Sequence, residues 1–309
     1  MEHLGSTLRK IAAERDFEIA VSKQKLNKIA VIELVRQQRE DATQDLVYSA
    51  RPFILCGLPV KRPPAGTLIH RRRNGHFFLH IQGHPDFGLP FGQDRLIAIW
   101  VASLAVRQKS RVIEFETASE ILEEFGMPRN GVHYRRLIDG FKRIFASTIF
   151  FGNEGQVPRQ ELFNCARFSF FDRMRVWYTG EDHGQKLHRS GNRIELSEQF
   201  WREIQAHPIP AERHAVRGLA NSPGCLDFYL WLSWRCHTAR KTERVSLFGT
   251  AGLVHQLGSE DYDRPRDFRR TIARWLKTIT LYWPECPAQL STDGQALLIQ
   301  SARAIHSRL

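Results

Sequence analysis

Residues 264–283 would form a helix with two chemically different sides. One side carries apolar residues at spacings of three and four: Phe268, Ile272, Trp275, Leu276 and Ile279. The opposite side carries the cations Arg266, Arg270 and Lys277, and Arg269 and Arg274 lie on the two flanks. Because a guanidinium group can donate paired hydrogen bonds to a guanine edge or a phosphate, such a helix is suited to reading DNA in the major groove. A solvated cationic face on an ordinary surface helix is the competing interpretation.

Residues 133–149 form a second predicted helix of the same kind. Its apolar stripe consists of Tyr134, Ile138, Phe141 and Phe145. Its cations are Arg135, Arg136, Lys142 and Arg143, with Arg136 and Arg143 on the side opposite the stripe. The two apolar stripes coincide when Tyr134 is laid on Phe268, so we interpret the helices as equivalent parts of an architectural repeat.

The elements around residues 133–149 follow the order of a winged helix. They are a helix from Gln93 to Val106, a β-like segment from Arg111 to Phe115, a helix from Thr117 to about Phe125, the basic helix, a strand-like run from Phe163 to Tyr178, and a strand from Asn192 to Leu196. Thr117 and Glu120 make a T-x-x-E capping box at the start of the third of these elements. In a winged helix the second helix of the turn pair enters the major groove, and residues 133–149 occupy that position.

The same order recurs after a short helix capped by Ser197, where His207-Pro208-Ile209-Pro210 breaks the chain. The second set comprises a helix at 226–235, a β-like segment at 244–248, a helix at 250–257, the basic helix at 264–283, a Pro/Gly loop at 284–294 and a strand at 295–300. We therefore predict an α+β fold with two tandem winged-helix domains, 51–206 and 207–309, each with a small β-wing.

Two further segments precede the first predicted repeat. Residues 1–50 are expected to be a helical extension that packs on the body, pairs with another copy or stays mobile. Residues 51–92 are a lead-in rich in Pro, Gly and His, which excludes a long helix. Within it, Arg71 to Arg73 beside Asn74-Gly75 predict a basic hairpin tip, which can contact a phosphate or remain a solvated loop.

Composition and charge indicate a soluble protein with an acidic partner. The chain has 309 residues, of which 42% are hydrophobic and 25% charged, and its formal charge is +12 with a pI near 9.8. Nucleic acid is the commonest partner of such a basic protein, and an anionic membrane surface is the alternative. Since the longest apolar run, Leu96 to Val106, is much shorter than the roughly 20 residues of a membrane span, we expect a cytoplasmic protein without a membrane partner. Five scattered cysteines predict reduced thiols.

Motifs of catalysis and metal binding do not stand out. The segment Gly126 to Gly131 is followed by Val132-His133 and not by the Lys-Ser/Thr pair of a phosphate-binding loop. His76 and His80 have the wrong spacing for the metal of a strand-nicking enzyme, although Tyr134 and Tyr178 could supply a nucleophile. Cys236-His237 and the pair His183 and His188 lack the spacing of zinc ligands. We therefore predict a binding protein with no catalytic residue, cofactor or metal.

Three segments resemble a known family. They are LPFGQDRLIAIWVASLAVRQKSRVIEF at 89–115, HYRRLIDGFKRIFASTIFFG at 133–152, and LDFYLWLSWR at 226–235. These segments look like the RepA family of plasmid replication initiators. The resemblance implies binding to repeated double-stranded origin sites called iterons, recruitment of the host initiator protein and replicative helicase, a homodimer that represses its own gene, and no nuclease activity. A DNA-binding repressor of the same fold, and a tyrosine-dependent origin-nicking enzyme, are the alternative hypotheses.

Overall fold

The computed structural model describes residues 23–41, 45–157, 160–177, 191–257, 262 and 264–302. Its helices are α1 (Lys23–Glu40), α2 (Arg51–Leu55), α3 (Asp94–Gln108), α4 (Ser119–Glu124), α5 (Gly131–Phe145), α6 (Glu198–Ala206), α7 (Arg213–Leu219), α8 (Pro223–Thr238), α9 (Leu253–Leu257) and α10 (Pro265–Tyr282). Its strands are β1 (Leu46–Ala50), β2 (Ile69–Asn74), β3 (Phe77–Gln82), β4 (Val112–Phe115), β5 (Thr148–Val157), β6 (Gln160–Ser169), β7 (Phe171–Arg175), β8 (Asn192–Leu196), β9 (Pro208–Glu212), β10 (Glu243–Ser246), β11 (Ala288–Leu290) and β12 (Ala296–Ile299). The α+β fold class is confirmed.

Helices α3 and α8 are the central helices of the two halves. Both are apolar around nearly their whole circumference, and most of their residues are buried. A helix of that composition belongs in the interior of a protein and not at its surface. Trp100 in α3 and Trp231 in α8 are each 2% exposed and fill the core around them. The basic helices α5 and α10 pack against these two supports, α5 on α3 and α10 on α8.

In the first half, α3, β4, α4 and α5 follow one another as predicted. Strand β4 pairs with β8, and β8 pairs with β7, giving the order β4-β8-β7. The predicted continuous run from Phe163 to Tyr178 is wrong, because the chain changes sheets at Phe170 and only Phe171–Arg175 joins β8. Phe170 is fully buried at this corner, where it stacks on Phe53 and packs edge-on against Phe200. Tyr178 lies outside the described residues.

A separate four-stranded antiparallel sheet has the order β2-β3-β5-β6. The hairpin predicted at Asn74-Gly75 is confirmed, since β2 and β3 pair from Ile69 opposite Gln82 to Asn74 opposite Phe77. Gly75 adopts a φ of 59°, which a glycine tolerates without strain. The three arginines do not act alike, because side chains alternate along a strand: Arg72 turns inward and is 9% exposed, whereas Arg71 and Arg73 face solvent.

The second half has the order α8, β10, α9, α10, β11 and β12. Strand β12 pairs with both β10 and β11, so the sheet order is β10-β12-β11. The predicted final strand is confirmed as Ala296–Ile299. The predicted loop after α10 is partly wrong, because it contains Ala288–Leu290, a short strand that hydrogen bonds to β12. Three residues are too few for a side-chain alternation pattern to reveal a strand in the sequence.

The N-terminal segment docks on the body of the protein. Residues 1–22 lie outside the described part of the chain, and the predicted helix is present at Lys23–Glu40. Arg39 of α1 forms a salt bridge with the buried carboxylate of Glu212 (2.8 Å) and lies over the ring of Trp283 at 5.1 Å. Burial raises the pKa of Glu212 to about 7, although the Arg39 guanidinium opposes that shift. Of the three fates considered for this helix, packing on the body is the one observed.

The ends of two predicted segments need correction. Residues 46–50 are a strand and not helix, and Pro208–Glu212 is a strand and not a simple break. The two strands pair with each other, with Tyr48 opposite Pro210 and Ala50 opposite Pro208. Proline has no N–H to donate, which suits β9 because, among the described strands, it pairs with β1 alone. This pairing crosses both predicted domain boundaries, which themselves stay a prediction.

The helix ends follow the predicted local signals in part. The Ser197 side chain accepts a hydrogen bond from Phe200 N at the start of α6, as predicted. At α4 only half of the capping box forms: Thr117 N donates to the Glu120 carboxylate (2.8 Å), while Ala118 occupies the N-cap. No helix in the described ranges is long and apolar enough to span a membrane.

Candidate nucleic-acid interface

Helix α10 separates its apolar and cationic residues as predicted. Phe268, Ile272 and Ile279 are fully buried, and Leu276 is 9% exposed. Trp275 is half-buried and packs on Phe228 of α8, with ring centroids 6.0 Å apart. The side chains exposed on the opposite surface are Arg266, Arg270, Arg274 and Lys277. The helix therefore presents a row of cations about three turns long on a rigidly held support.

Arg269 has a different position from the other cations of α10. It is half-buried, and its Nε donates to the carbonyl oxygen of Gly294 (2.7 Å) in the loop between β11 and β12. Gly294 has a φ of 63°, and a Cβ at that residue would lie 2.8 Å from Arg269 Cδ, so a side chain there would push Arg269 away. Arg269 thus fixes the β11–β12 loop beside the cation row, from the flank of the helix on which it was predicted to lie.

Helix α5 exposes fewer cations than its sequence predicts. Asn130 caps it by accepting a hydrogen bond from His133 N (3.0 Å), and Arg135 and Arg136 are exposed near this end. Lys142 is half-buried and interacts within the chain. Arg135 and Arg136 are therefore the candidate contacts of this helix that remain open to solvent.

Arg143 does not project into solvent, and its predicted outward position is wrong. Its guanidinium forms two hydrogen bonds with the carboxylate of Asp94, Nε to Oδ2 at 2.7 Å and Nη2 to Oδ1 at 2.9 Å. It also lies 4.6 Å above the ring of Phe91. Gly140 leaves room for this arrangement, because a Cβ there would come within 2.6 Å of Asp94 Oδ1. Sequence periodicity missed the pair because Asp94 lies on another helix.

The buried faces of α5 and α10 match in a register that differs by one residue from the predicted one. The buried apolar side chains of α5 are Leu137, Ile138, Phe141 and Ile144. A shift of one residue lays three of them, Leu137, Phe141 and Ile144, on the buried Ile272, Leu276 and Ile279 of α10, whereas Ile138 then falls on the exposed Ala273. The predicted stripe residue Phe145 is instead 38% exposed. In the observed register Asp139, which is exposed, takes the place of Arg274. The outward surface of α5 therefore has a carboxylate where that of α10 has a guanidinium.

Two adjacent residues at the start of α3 connect the halves. Asp94 holds Arg143 of α5, and Arg95 forms a buried salt bridge with Asp227 of α8. Arg95 also donates from Nε to Gly92 O (2.7 Å) and from Nη2 to Pro59 O (2.8 Å). On α8, Gly224 lies against the Trp275 ring of α10, where a Cβ would come within 2.6 Å. A continuous series of contacts thus joins the two basic helices, and no sequence signal identified it.

A cleft of about 410 Å³ lies beside the exposed end of α5. It is lined by apolar residues of α3 and α4, and by Phe91, His133 and Arg136. Arg62 of the lead-in segment also lines it, which places a lead-in cation beside α5. No local sequence pattern marks Arg62, because nothing near it in the chain relates it to a helix that begins about 70 residues later.

Residues considered for catalysis or metal binding pack or form hydrogen bonds within the protein. His76 is hydrogen bonded through Nδ1 to Glu154 O (3.2 Å). Burial, followed by the neighbouring Arg71 and Arg73 guanidinium groups, lowers the pKa of His80. Tyr134 is half-buried and packs against the core. Within the described ranges no three His, Cys, Asp or Glu side chains form a metal-binding group, and the cysteines are free thiols. His183 and His188 lie outside those ranges.

A known protein family matches the part of the chain that runs from α5 to β10. Residues 136–247 match the family described as plasmid encoded RepA protein. The match begins within α5 and ends just after β10. It confirms the RepA resemblance for those residues and supports a role as a replication initiator. No curated protein matches the sequence.

Two solved structures align with most of the chain. The crystal structure of selenomethionine derivatives of domains 2 and 3 of RctB is 13% identical in sequence, with a TM-score of 0.49. The similarity covers 72% of this chain and 82% of that chain. A second crystal structure of RctB domains 2 and 3 is also 13% identical, with a TM-score of 0.43, and covers 78% of this chain and 92% of that one.

Proposed function

We propose that the protein is a plasmid replication initiator that binds repeated double-stranded origin sites through α5 and α10. The observation that carries the proposal is the exposed row of Arg266, Arg270, Arg274 and Lys277 on a helix whose opposite side is buried. Arginines placed in this way can pair bidentately with guanine edges in a major groove. The RepA match across residues 136–247 supports the choice of a replication origin as the target.

The arrangement around each basic helix supports two tandem winged helices. In each half a helix, a strand, a short helix and the basic helix are followed by strands, and the last of these pairs with the first strand. In such a fold the basic helix enters the groove and the β-ribbon contacts the backbone. The β11–β12 loop, held next to α10 by Arg269, is the ribbon of the second half. With one head in each of two successive major grooves, the site would span about 20 base pairs.

We further propose that the two heads contribute unequally. Helix α10 has the denser cation row, so it would read most of the bases. Helix α5, with Arg135 and Arg136 flanked by Asp139, would hold phosphates, aided by Arg62 across the cleft. The first half would also contribute more to self-association. The bound protein would act in the cytoplasm, where it recruits the host initiator protein and replicative helicase without a catalytic activity of its own.

The test compares Arg270→Ala with the unaltered protein on specific and random duplexes. Footprinting of the DNA beside the coding sequence first locates the repeats. Arg270→Ala is expected to lose about 1–3 kcal/mol on the specific site alone, since a base contact contributes nothing on random DNA. Arg202→Ala, which removes an exposed arginine on α6, serves as the matched control and should bind normally.

Two outcomes would contradict parts of the proposal. Equal weakening on specific and random DNA would make Arg270 a phosphate contact, and unchanged binding on both would remove α10 from the interface. Maintenance of an otherwise replication-deficient plasmid by the gene and its upstream repeats separates initiation from repression alone.

A further inference from the structure

The four-stranded sheet β2-β3-β5-β6 has one side in the core and one side in solvent. His70, Leu79 and Phe151 lie on the core side, each less than 9% exposed. Because side chains alternate, their neighbours along each strand face the other way. We call that other side the open sheet face and define it by Arg71, Arg73, Phe78, His80, Phe150, Phe163 and Arg167. Phe78 is 2% exposed because other rings, including that of Phe163, cover it, while His80 and Phe150 are half-buried.

The strand register places these side chains in two rows across the sheet. One row runs Arg71, His80, Phe150 and Arg167, from β2 to β6. The adjacent row runs Arg73, Phe78, Gly152 and Cys165 in the same direction. Aromatic and imidazole rings therefore occupy the middle strands, and arginines occupy both edge strands.

Phe163 is the outermost ring of the open sheet face and is 69% exposed. It lies on β6, yet its ring stacks on Phe78 of β3, with centroids 5.8 Å apart and planes inclined by 12°. Strand β5 runs between them, and at the register position next to Phe78 it carries Gly152, which has no side chain. The glycine thus allows one ring to lie over the other, and the second face of Phe163 remains accessible.

The charge of the open sheet face is positive. Among its side chains that the structure describes, Arg71, Arg73 and Arg167 stand against Glu154, which pairs with Arg73 at 2.6 Å. Burial and the two arginines of β2 lower the pKa of His80, so its ring is uncharged at neutral pH. The face therefore offers stacking surfaces in its centre and cations along its margins.

We propose that the open sheet face binds single-stranded DNA, with bases stacked on Phe163 and Phe150 and phosphates held by Arg71 and Arg167. Unpaired bases have free π-faces that aromatic side chains can cover, whereas the bases of a duplex are stacked on one another. The sheet spans about 14 Å from β2 to β6, at roughly 4.8 Å per strand spacing. The four-stranded sheet of RNA-recognition motifs stacks two or three bases on its aromatic side chains. This site uses none of the residues assigned to duplex binding, so the two proposals can be tested independently.

The test measures binding of a fluorescent oligothymidine of about 20 nucleotides at roughly 0.1 M salt by anisotropy. Phe163→Ala is expected to weaken binding about fivefold to a hundredfold, the effect of losing a stacked base. Phe163→Trp should retain binding because it keeps a ring. Phe87→Ala is the matched control, since Phe87 is 42% exposed but lies outside the sheet, and it should bind normally.

The contributions of Arg71 and Arg167 are measured through the salt dependence of oligonucleotide binding. Arg71→Ala and Arg167→Ala should each reduce the dependence of log affinity on log salt by about 0.7, the value expected for one phosphate contact on a single strand. Arg107→Ala, at an exposed position of α3, should leave the slope unchanged. Arg270→Ala should also bind the oligonucleotide normally, which distinguishes failure of this proposal from failure of the proposed duplex binding.

Three results would overturn the proposal. The first is normal oligothymidine binding by Phe163→Ala. The second is an equal loss on single-stranded and duplex DNA, which would make the face a general DNA contact. The third is an altered sedimentation coefficient of Phe163→Ala together with unchanged oligothymidine binding, which would make the open sheet face a protein-docking surface.

Discussion

Arg95 links the two halves of the protein through a buried ion pair, and its removal should lower the stability of the fold. Its side chain is 4% exposed, its guanidinium pairs with Asp227, and its other N–H groups donate to the backbone at Gly92, Leu58 and Pro59. Arg95→Met keeps most of the side-chain volume but leaves a carboxylate that is 5% exposed without its cation. This single change therefore removes the ion pair between α3 and α8 and the hydrogen bonds from α3 to the lead-in segment that Arg95 makes.

The expected loss is set by the cost of an unpaired buried charge. Removing one partner of a buried ion pair typically costs about 3–5 kcal/mol. Arg72 also lowers the pKa of Asp227 and so supplies part of the attraction, which favours the lower end, about 3 kcal/mol. Set against a total stability of roughly 5–15 kcal/mol, the effect is large. Arg107→Met, on the exposed end of the same helix, should change stability by less than about 0.5 kcal/mol.

The pH dependence provides a second check on the reasoning. Burial raises the pKa of Asp227, and the Arg95 guanidinium opposes that shift, so the pKa should rise further in Arg95→Met. A group whose folded pKa exceeds its unfolded pKa contributes stability at low pH that is lost as pH rises through the folded value. The deficit of the variant should therefore be smaller near about pH 5 than near about pH 8.

Chemical denaturation measures the loss of stability and its dependence on pH. It is carried out at the two pH values on the unaltered protein, Arg95→Met and Arg107→Met. A loss below about 1 kcal/mol at the higher pH would mean that the Arg95–Asp227 pair does not hold the halves together. A deficit that is equal at the two pH values, or that grows as pH falls, would mean that the pKa of Asp227 does not rise further in Arg95→Met, and would refute the pKa argument.

Two further predictions follow from the same geometry. Gly224→Ala should cost about 1–3 kcal/mol, because its Cβ would meet the Trp275 ring at 2.6 Å, whereas Gly131→Ala, with no atom within 4 Å, should be neutral or stabilising by up to about 1 kcal/mol. Thermal unfolding distinguishes them, and equal stability of the two variants would show that α8 and α10 are not closely packed. Incubation of supercoiled origin DNA with the protein and Mg²⁺ should leave the DNA supercoiled for both the unaltered chain and Tyr134→Phe. Nicked circles that disappear with Tyr134→Phe would contradict the proposal of binding without catalysis.

Helical periodicity predicted α10 well because its positioning is local. The stripe from Phe268 to Ile279 and the cations opposite it are consequences of 3.6 residues per turn, which the sequence already contains. Periodicity did not predict the surroundings of Arg143. A side chain opposite the apolar stripe of a helix can still pair with a residue from another element. Asp94 supplies that partner from 49 positions earlier in the chain.

Strand pairing was the less predictable part of the fold. The turn signal of Asn74-Gly75 identified the hairpin, but it could not show that β3 pairs with β5, or that the chain changes sheets at Phe170. Each strand offers the same backbone hydrogen-bonding groups, so the choice of neighbour depends on packing of the whole protein. The open sheet face is a product of that choice and had no signature in the sequence.

The sequence by itself determined the basic charge, the amphipathic character of the two basic helices and the RepA resemblance, because these depend on residue type and local spacing. Tertiary structure decided which cations reach solvent, since Arg143 and Arg269 are engaged while Arg270 and Arg274 are exposed. It also brought Arg95 to Asp227 and Phe163 to Phe78, pairs far apart in the chain. Burial and long-range contact are properties of the folded chain, and they select the residues that remain available for a partner.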